Sequence, residues 1–234
     1  MNTILAVTKN ATLHEQQAVE WAKHGINAQR VDSMHEAIVK LKNGERFFFI
    51  VINEDCIPDL LIQLPLMREI TTFPIIVITS TYTVKKKLTA IRNGADIYVQ
   101  FSEKIKHDIL MTFEVFSAQN RWANRPTEPP PVLLGGDIIM SLTRRTVLVK
   151  DREVVLNKKQ FDLLRYLMEN GGRIIPHDEI YRNVWGGEYE CAARDTLRVA
   201  VNRLRQELSS ASDGVEYIET VRDIGYRFPS VMDT

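Results

Sequence analysis

Four prolines between Pro126 and Pro131 divide this chain of 234 residues. Such a run cannot continue a helix and favours extended polyproline II. Residues 121–131 are therefore predicted to be a linker between two domains, 1–120 and 132–234. Each is long enough to bury a core of its own.

The first 120 residues alternate short apolar runs with helical patterns. Strands are predicted at Ile4–Val7, Asn27–Val31, Phe47–Ile52, Ile75–Thr79 and Ile97–Phe101. Several are nearly continuous apolar runs, the mark of strands covered on both faces. Helices are predicted near His14–His24, Met34–Asn43, Leu60–Ile70, Val84–Asn93 and Glu103–Asn120. Ser33 followed by Glu36 reads as a capping box. Gly25, Gly44 and Gly94 fall just past helix ends, where a left-handed residue is favoured. Five βα units in series predict an α/β fold with a doubly wound parallel sheet. Ligands of such a sheet sit at the carboxyl ends of its strands. Those ends carry Thr8, Lys9 and Asn10; Asn53, Glu54 and Asp55; Thr79 and Ser80; and Gln100, Phe101 and Ser102. No glycine-rich phosphate loop follows the first strand, which argues against a nucleotide site.

Composition adds limits. Charge balances at 30 basic and 30 acidic residues, so any nucleic-acid surface must come from local placement. Cys56 and Cys191 lie in different halves; two unpaired buried thiols are expected, with no metal-site spacing. The chain opens on an apolar strand without the basic n-region of a secretory leader, and no apolar run reaches the length of a membrane span. A cytoplasmic protein with no membrane partner is expected. No cofactor is implied.

Residues 1–118 resemble a two-component receiver domain. The order of the βα units fits, as do Thr79 and the stretch Gly94-Ala95-Asp96-Ile97-Tyr98. The resemblance implies a switch hydroxyl at Thr79 and a switch aromatic at Tyr98. It also implies a phosphorylation pocket, and here the residues depart from the pattern. Thr8 and Lys9 stand where a receiver places the acids that hold Mg²⁺. Asn53 or Glu54 stands where it places the phosphoryl-accepting aspartate, and Phe101 where it places a lysine. An amide cannot form an acyl phosphate, and a Lys9 ammonium repels the metal that neutralises a transferring phosphoryl group. A degenerate receiver is expected, with Asp55 as a solvated loop acid. Two other readings stay open. One is a conventional phosphorylation switch using Asp55 or Glu54. The other is a flavodoxin-like ligand sensor or enzyme with a cavity at Lys9, Asn53 and Thr79.

The second half reads differently. Alternating runs from Leu133 to Leu156, broken by Gly135-Gly136, Thr143–Arg145 and Lys150–Arg152, predict a small antiparallel sheet. Asn157 with Gln160 opens a helix that ends at Gly171-Gly172. A second helix is predicted at His177–Val184 and a third at Ala192–Ser209, with Leu197, Val201, Leu204 and Leu208 on its buried face. Strands at Glu216–Val221 and Tyr226–Phe228 close a hairpin with Arg222 at its tip.

This stretch closely resembles the winged helix-turn-helix effector domain of OmpR/PhoB-type response regulators. The likeness rests on Leu156–Leu164, Val184-Trp185-Gly186, Asn202-Arg203-Leu204-Arg205 and the long run Ile218–Phe228. It implies double-stranded promoter DNA as partner, with no catalytic role. The third helix would enter the major groove. Arg194, Thr196, Arg198, Val199, Asn202, Arg203, Arg205, Thr220 and Arg222 are the candidate contacts. Arg198, Asn202 and Arg203 are favoured for base edges or nearby phosphates, and Arg205, Thr220 and Arg222 for the backbone or minor groove at the wing. Arg198 and Ala200 stand where the family commonly has Asp and His, and Asp195 where it often has a basic residue. Those changes should alter the sequence read. The resemblance further implies a homodimer through the first half, with Lys85-Lys86-Lys87 on the pairing helix, and an RNA polymerase contact at residues 185–193.

Overall fold

The computed structural model describes residues 2–101 and 132–229. It divides into two compact units, residues 1–130 and 131–234. The predicted helix Glu103–Asn120 and the segment 121–131 lie outside the described residues.

The first unit runs β1 (Asn2–Val7), α1 (Ala11–Lys23), β2 (Ile26–Val31), α2 (Met34–Lys42), β3 (Ile50–Asn53), α3 (Leu60–Ile70), β4 (Ile75–Thr79), α4 (Val84–Arg92) and β5 (Ile97–Gln100). The strands form one parallel sheet in the order β2-β1-β3-β4-β5. Each residue of β3 and β4 is buried, as their unbroken apolar character requires. Chain direction across the sheet reverses between β1 and β3, so the crevice at their carboxyl ends faces Thr8, Lys9 and the Asn53–Asp55 turn.

Local chemistry explains the boundaries. The side chain of Asn10 accepts from the Leu13 amide and starts α1 three residues earlier than the apolar pattern alone implies. Ser33 caps α2 by accepting from the Glu36 amide, and the Glu36 carboxylate reaches back to the amide of Asp32. Thr83 caps α4 in the same way. The third strand is shorter than predicted. Phe48 and Phe49 each make a backbone bond to β1, but regular pairing starts at Ile50. Phe47 and Phe49 are buried all the same, which accounts for the apolar run.

The Gly94-Ala95-Asp96 stretch has a structural reason. Gly94 takes a φ of 114°, and a Cβ there would lie 2.9 Å from the Cβ of Arg68. The Arg68 guanidinium donates to the Gly94 carbonyl and pairs with Asp96, whose carboxylate also accepts from the Ile75 amide at 2.8 Å. One glycine and one ion pair thus fix α3 against the start of β4.

The second unit starts with a four-stranded antiparallel sheet, β6 (Val132–Gly135), β7 (Ile138–Ser141), β8 (Thr146–Val149) and β9 (Arg152–Val154), in sequence order. Then follow α5 (Lys158–Glu169), β10 (Ile174–Pro176), α6 (His177–Trp185), α7 (Cys191–Ala211), β11 (Glu219–Val221) and β12 (Gly225–Arg227). The capping box of Asn157 and Gln160 closes in both directions. The core joins Phe161, Leu164, Ile180, Leu197, Val201, Leu204 and Phe228.

The terminal hairpin departs from expectation in two ways. Its first strand is three residues shorter than predicted, and its second strand is the centre of a three-stranded sheet, β10-β12-β11. The unpredicted strand β10 pairs Ile175 with Tyr226 and Pro176 with Gly225. Gly225 explains the close approach: a Cβ there would lie 1.8 Å from the Ile175 carbonyl oxygen.

Candidate nucleic-acid interface

The direction of α7 is set by its buried stripe, Leu197, Val201, Leu204 and Leu208, each at most 1% exposed. Whatever falls on the other side of the helix must face solvent. Arg194, Asp195, Thr196, Arg198, Val199, Asn202 and Arg203 are all exposed there. The sequence-predicted residues of the third helix therefore share one open surface, with the exception of Arg205.

Arg205 is half-buried and turned toward the hairpin. Its guanidinium donates from Nε (2.9 Å) and Nη2 to the Ile218 carbonyl, and from Nη2 to the Thr220 hydroxyl at 2.8 Å. It lies 5.8 Å from the ring centre of Tyr226 and 3.4 Å from a Glu216 oxygen. These bonds tie α7 to β11. A phosphate would have to compete with them, so the geometry gives Arg205 the task of positioning the wing.

Two clefts flank α7. On the wing side His177, Arg194, Arg198, Thr220, Arg222, Asp223 and Tyr226 line a hollow. Arg194 is 3.9 Å from Asp223, whose positive φ of 62° makes the hairpin turn. Among the described residues Arg222 has no ion pair. In the sequence reading His177 only starts a helix. It opens α6, and its ring meets the edge of Tyr226 at 5.3 Å. Burial, and after it the charge of Arg194, lowers its pKa below the usual imidazole value. The second cleft is lined by Lys159, Gln160, Trp185, Asp195, Thr196, Val199 and Arg203, among others. Lys159 donates to the Val184 carbonyl at 2.7 Å and so holds the amino end of α5 on the carboxyl end of α6. Beside it Tyr181 stacks on Trp185 at 5.3 Å and meets Tyr189 edge-on, which anchors the loop between α6 and α7.

The strand-end residues of the first unit also come together. Thr8, Asn53 and Thr79 are buried, whereas Lys9 is exposed. The Asn53 side chain accepts from the Asp55 amide and caps a short turn over Glu54–Cys56. That turn aims Glu54 inward, where its carboxylate accepts from the Tyr98 hydroxyl and lies 3.4 Å from the Lys86 ammonium. Tyr98 is 2% exposed. Burial first, then the bond to Glu54, pushes its phenol well above the ordinary range. Asp55 is exposed, but it is not a loose loop acid. Its carboxylate accepts from the Ser80 amide at 2.8 Å and the Thr79 hydroxyl at 3.3 Å. Cys56 carries a free thiol that is half-buried, not buried as expected, and its sulfur lies 3.7 Å from the Thr8 hydroxyl. Phe101 donates its amide to the Thr79 carbonyl. Glu54 and Lys86 are the members that sequence spacing missed as a pair, since they lie on separate elements.

Comparison with known proteins adds an independent line. The family described as "Transcriptional regulatory protein, C terminal" matches residues 151–228. The chain is 30% identical over 162 residues to the sensory transduction protein RegX3 of Mycobacterium bovis, covering 69% of this chain and 70% of the relative. It is 28% identical over 234 residues to RegX3 of Mycolicibacterium smegmatis, covering 97% and 99%. Likeness to regulatory protein VanR of Enterococcus faecium is 24% over 161 residues, covering 69% and 70%.

Proposed function

Because the chain belongs to the OmpR/PhoB-type response regulators, transcription factors with a DNA-binding C-terminal domain, we propose that it binds promoter DNA without needing an aspartyl phosphate. The DNA half of this reading is carried by one observation: a single exposed face of α7 holding Arg194, Arg198, Asn202 and Arg203 beside a wing that presents Thr220 and Arg222. An α-helix of this kind fits the major groove, and the wing falls over the adjacent backbone. The anchored loop 185–193 is the surface for RNA polymerase, supported by the Tyr181–Trp185–Tyr189 cluster. The protein acts in the cytoplasm; no helix among the described residues is long and apolar enough to cross a membrane.

Independence from phosphorylation is supported by the strand-end cluster. The Glu54 carboxylate is already engaged by Tyr98 and Lys86, and Asn53 is an amide that caps a turn. Lys9 occupies the β1 end where the family uses acids to hold Mg²⁺. One observation favours a conventional switch instead: Asp55 is an exposed carboxylate held at the mouth of the β4 end.

Self-association is supported by α4. Val84, Leu88 and Ile91, at i, i+4 and i+7, leave one apolar stripe 65%, 52% and 39% exposed. Lys86 points the other way, to Glu54. Pairing through this stripe would bring two α7 helices to adjacent half-sites.

The test is fluorescence anisotropy on a fragment of the protein's own promoter at fixed salt, with and without beryllofluoride and Mg²⁺. Tight binding that beryllofluoride leaves unchanged is expected. A clear gain in affinity would assign the switch to Asp55 or Glu54.

A further inference from the structure

At roughly 100° per residue, Asp195, Val199 and Asn202 fall on one line opposite the buried stripe of α7. The Asp195 side chain is 76% exposed and Val199 is 44% exposed. The arginines stand to either side of this crest. Arg194 and Arg198 line the wing-side cleft, and Arg203 and Thr196 line the opposite one, whose rim Asp195 and Val199 share. The line of the helix opposite its buried stripe therefore carries an acid, an aliphatic group and an amide.

A carboxylate on that crest works against binding of the DNA backbone, because it repels phosphates. It fits the floor of the major groove. There a carboxylate accepts from the exocyclic amine of cytosine, an amide pairs with adenine, and an aliphatic group packs on the thymine methyl. One Asp195 oxygen lies 3.3 Å from Arg198 Nη2, which holds the carboxylate in place and offsets part of its charge. Its other oxygen stays open to a base.

We propose that α7 reads its operator with the crest Asp195–Val199–Asn202, and that Asp195 selects a cytosine by accepting a hydrogen bond from its exocyclic amine. Arg194, Arg198 and Arg203 fix the helix on the backbone, and Arg198 also positions Asp195. The inference rests on α7 being the major-groove helix. The crest spans about 10 Å at 1.5 Å per residue, so its contacts fall within about four consecutive base pairs.

Selection from random-sequence duplexes, with the full chain and with Asp195→Ala, tests this. Anisotropy then follows on the selected site carrying each base in turn. The wild type should enrich a half-site with one cytosine preferred by about 5- to 150-fold. Asp195→Ala should flatten the preference at that position alone and bind the mismatched sites more tightly than the wild type does. Replacing thymine by uracil in the same half-site should weaken the wild type more than it weakens Val199→Ala. If Asp195→Ala selects the same motif and gains affinity uniformly, Asp195 is only a repulsive charge and the proposal is overturned. If neither protein selects a motif, the DNA-reading assignment of α7 falls, and this inference with it.

Discussion

Tyr98 on β5 donates its hydroxyl to the carboxylate of Glu54, which follows β3, so two non-adjacent strands of the parallel sheet are joined at their carboxyl ends. Lys86 reaches the same carboxylate from α4. The three side chains form an acid–phenol–amine set beside the carboxyl ends of the strands.

Removing the acceptor should therefore cost stability. Glu54→Ala takes the carboxylate acceptor from the buried Tyr98 hydroxyl and leaves it only the Thr79 side chain, at a cost of about 1–3 kcal/mol. Tyr98→Phe removes the donor but leaves Glu54 its Lys86 contact, so its loss should be smaller, about 1 kcal/mol. Calorimetry of the full chain should show both changes in the transition of the first unit alone. Equal melting of wild type and Glu54→Ala would mean that the bond contributes nothing.

Gly225 gives a sharper case in the second unit. A methyl group there collides with the Ile175 carbonyl, which belongs to backbone and cannot step aside. Gly225→Ala should separate β10 from β12 and destabilise the unit by about 3 kcal/mol or more. Hydrogen exchange should show lost protection at Ile175 and Tyr226, the hydrogen-bonded pair of β10 and β12, while α5 stays protected. Unchanged exchange at β12 would show that the strand pair can absorb the shift.

Arg205 separates holding the wing from touching DNA. A lysine keeps the charge but lacks the fork that grips the Ile218 carbonyl and Thr220 together. Arg205→Lys should lose several-fold in DNA affinity with an unaltered dependence on salt, because no phosphate contact is removed. A reduced salt slope would instead identify Arg205 as a direct phosphate contact.

Much of this architecture was legible in the sequence because it depends on local chemistry. The Asn157–Gln160 box, the positive-φ glycines and the leucine stripe of α7 each state their own geometry. What was hidden depends on contacts between distant elements. β10 is three residues long, too short for a period, and exists because Gly225 admits Ile175. Asp55 reads as a loop acid until Ser80, 25 residues away, is seen to donate to it. Arg205 reads as one more basic residue on a basic helix until Ile218 comes round to meet it. His177 reads only as a helix start, since the arginines that give it meaning arrive with α7 and the hairpin.

His177 provides a pH test in which stability and binding move in opposite directions. In the free protein burial, then the Arg194 charge, lowers its pKa, while Asp178 and Asp223 oppose the shift. The folded state thus prefers the neutral ring, and the unfolded chain binds the proton more readily. Stability from this group is complete above the ordinary value of about 6.5 and is lost as pH falls from there to the folded value. A DNA phosphate docked in the wing-side cleft reverses the preference, because an anion beside the ring favours imidazolium. Binding then takes up a proton, and affinity should rise as pH falls from about 8 to about 6, a window above the ordinary carboxylate range. His177→Asn keeps a hydrogen-bonding side chain without a titration, so its affinity should be flat over that window. Anisotropy across the range, alongside melting of the free protein, reads both trends. If wild type and His177→Asn show the same pH profile, no phosphate sits within reach of His177.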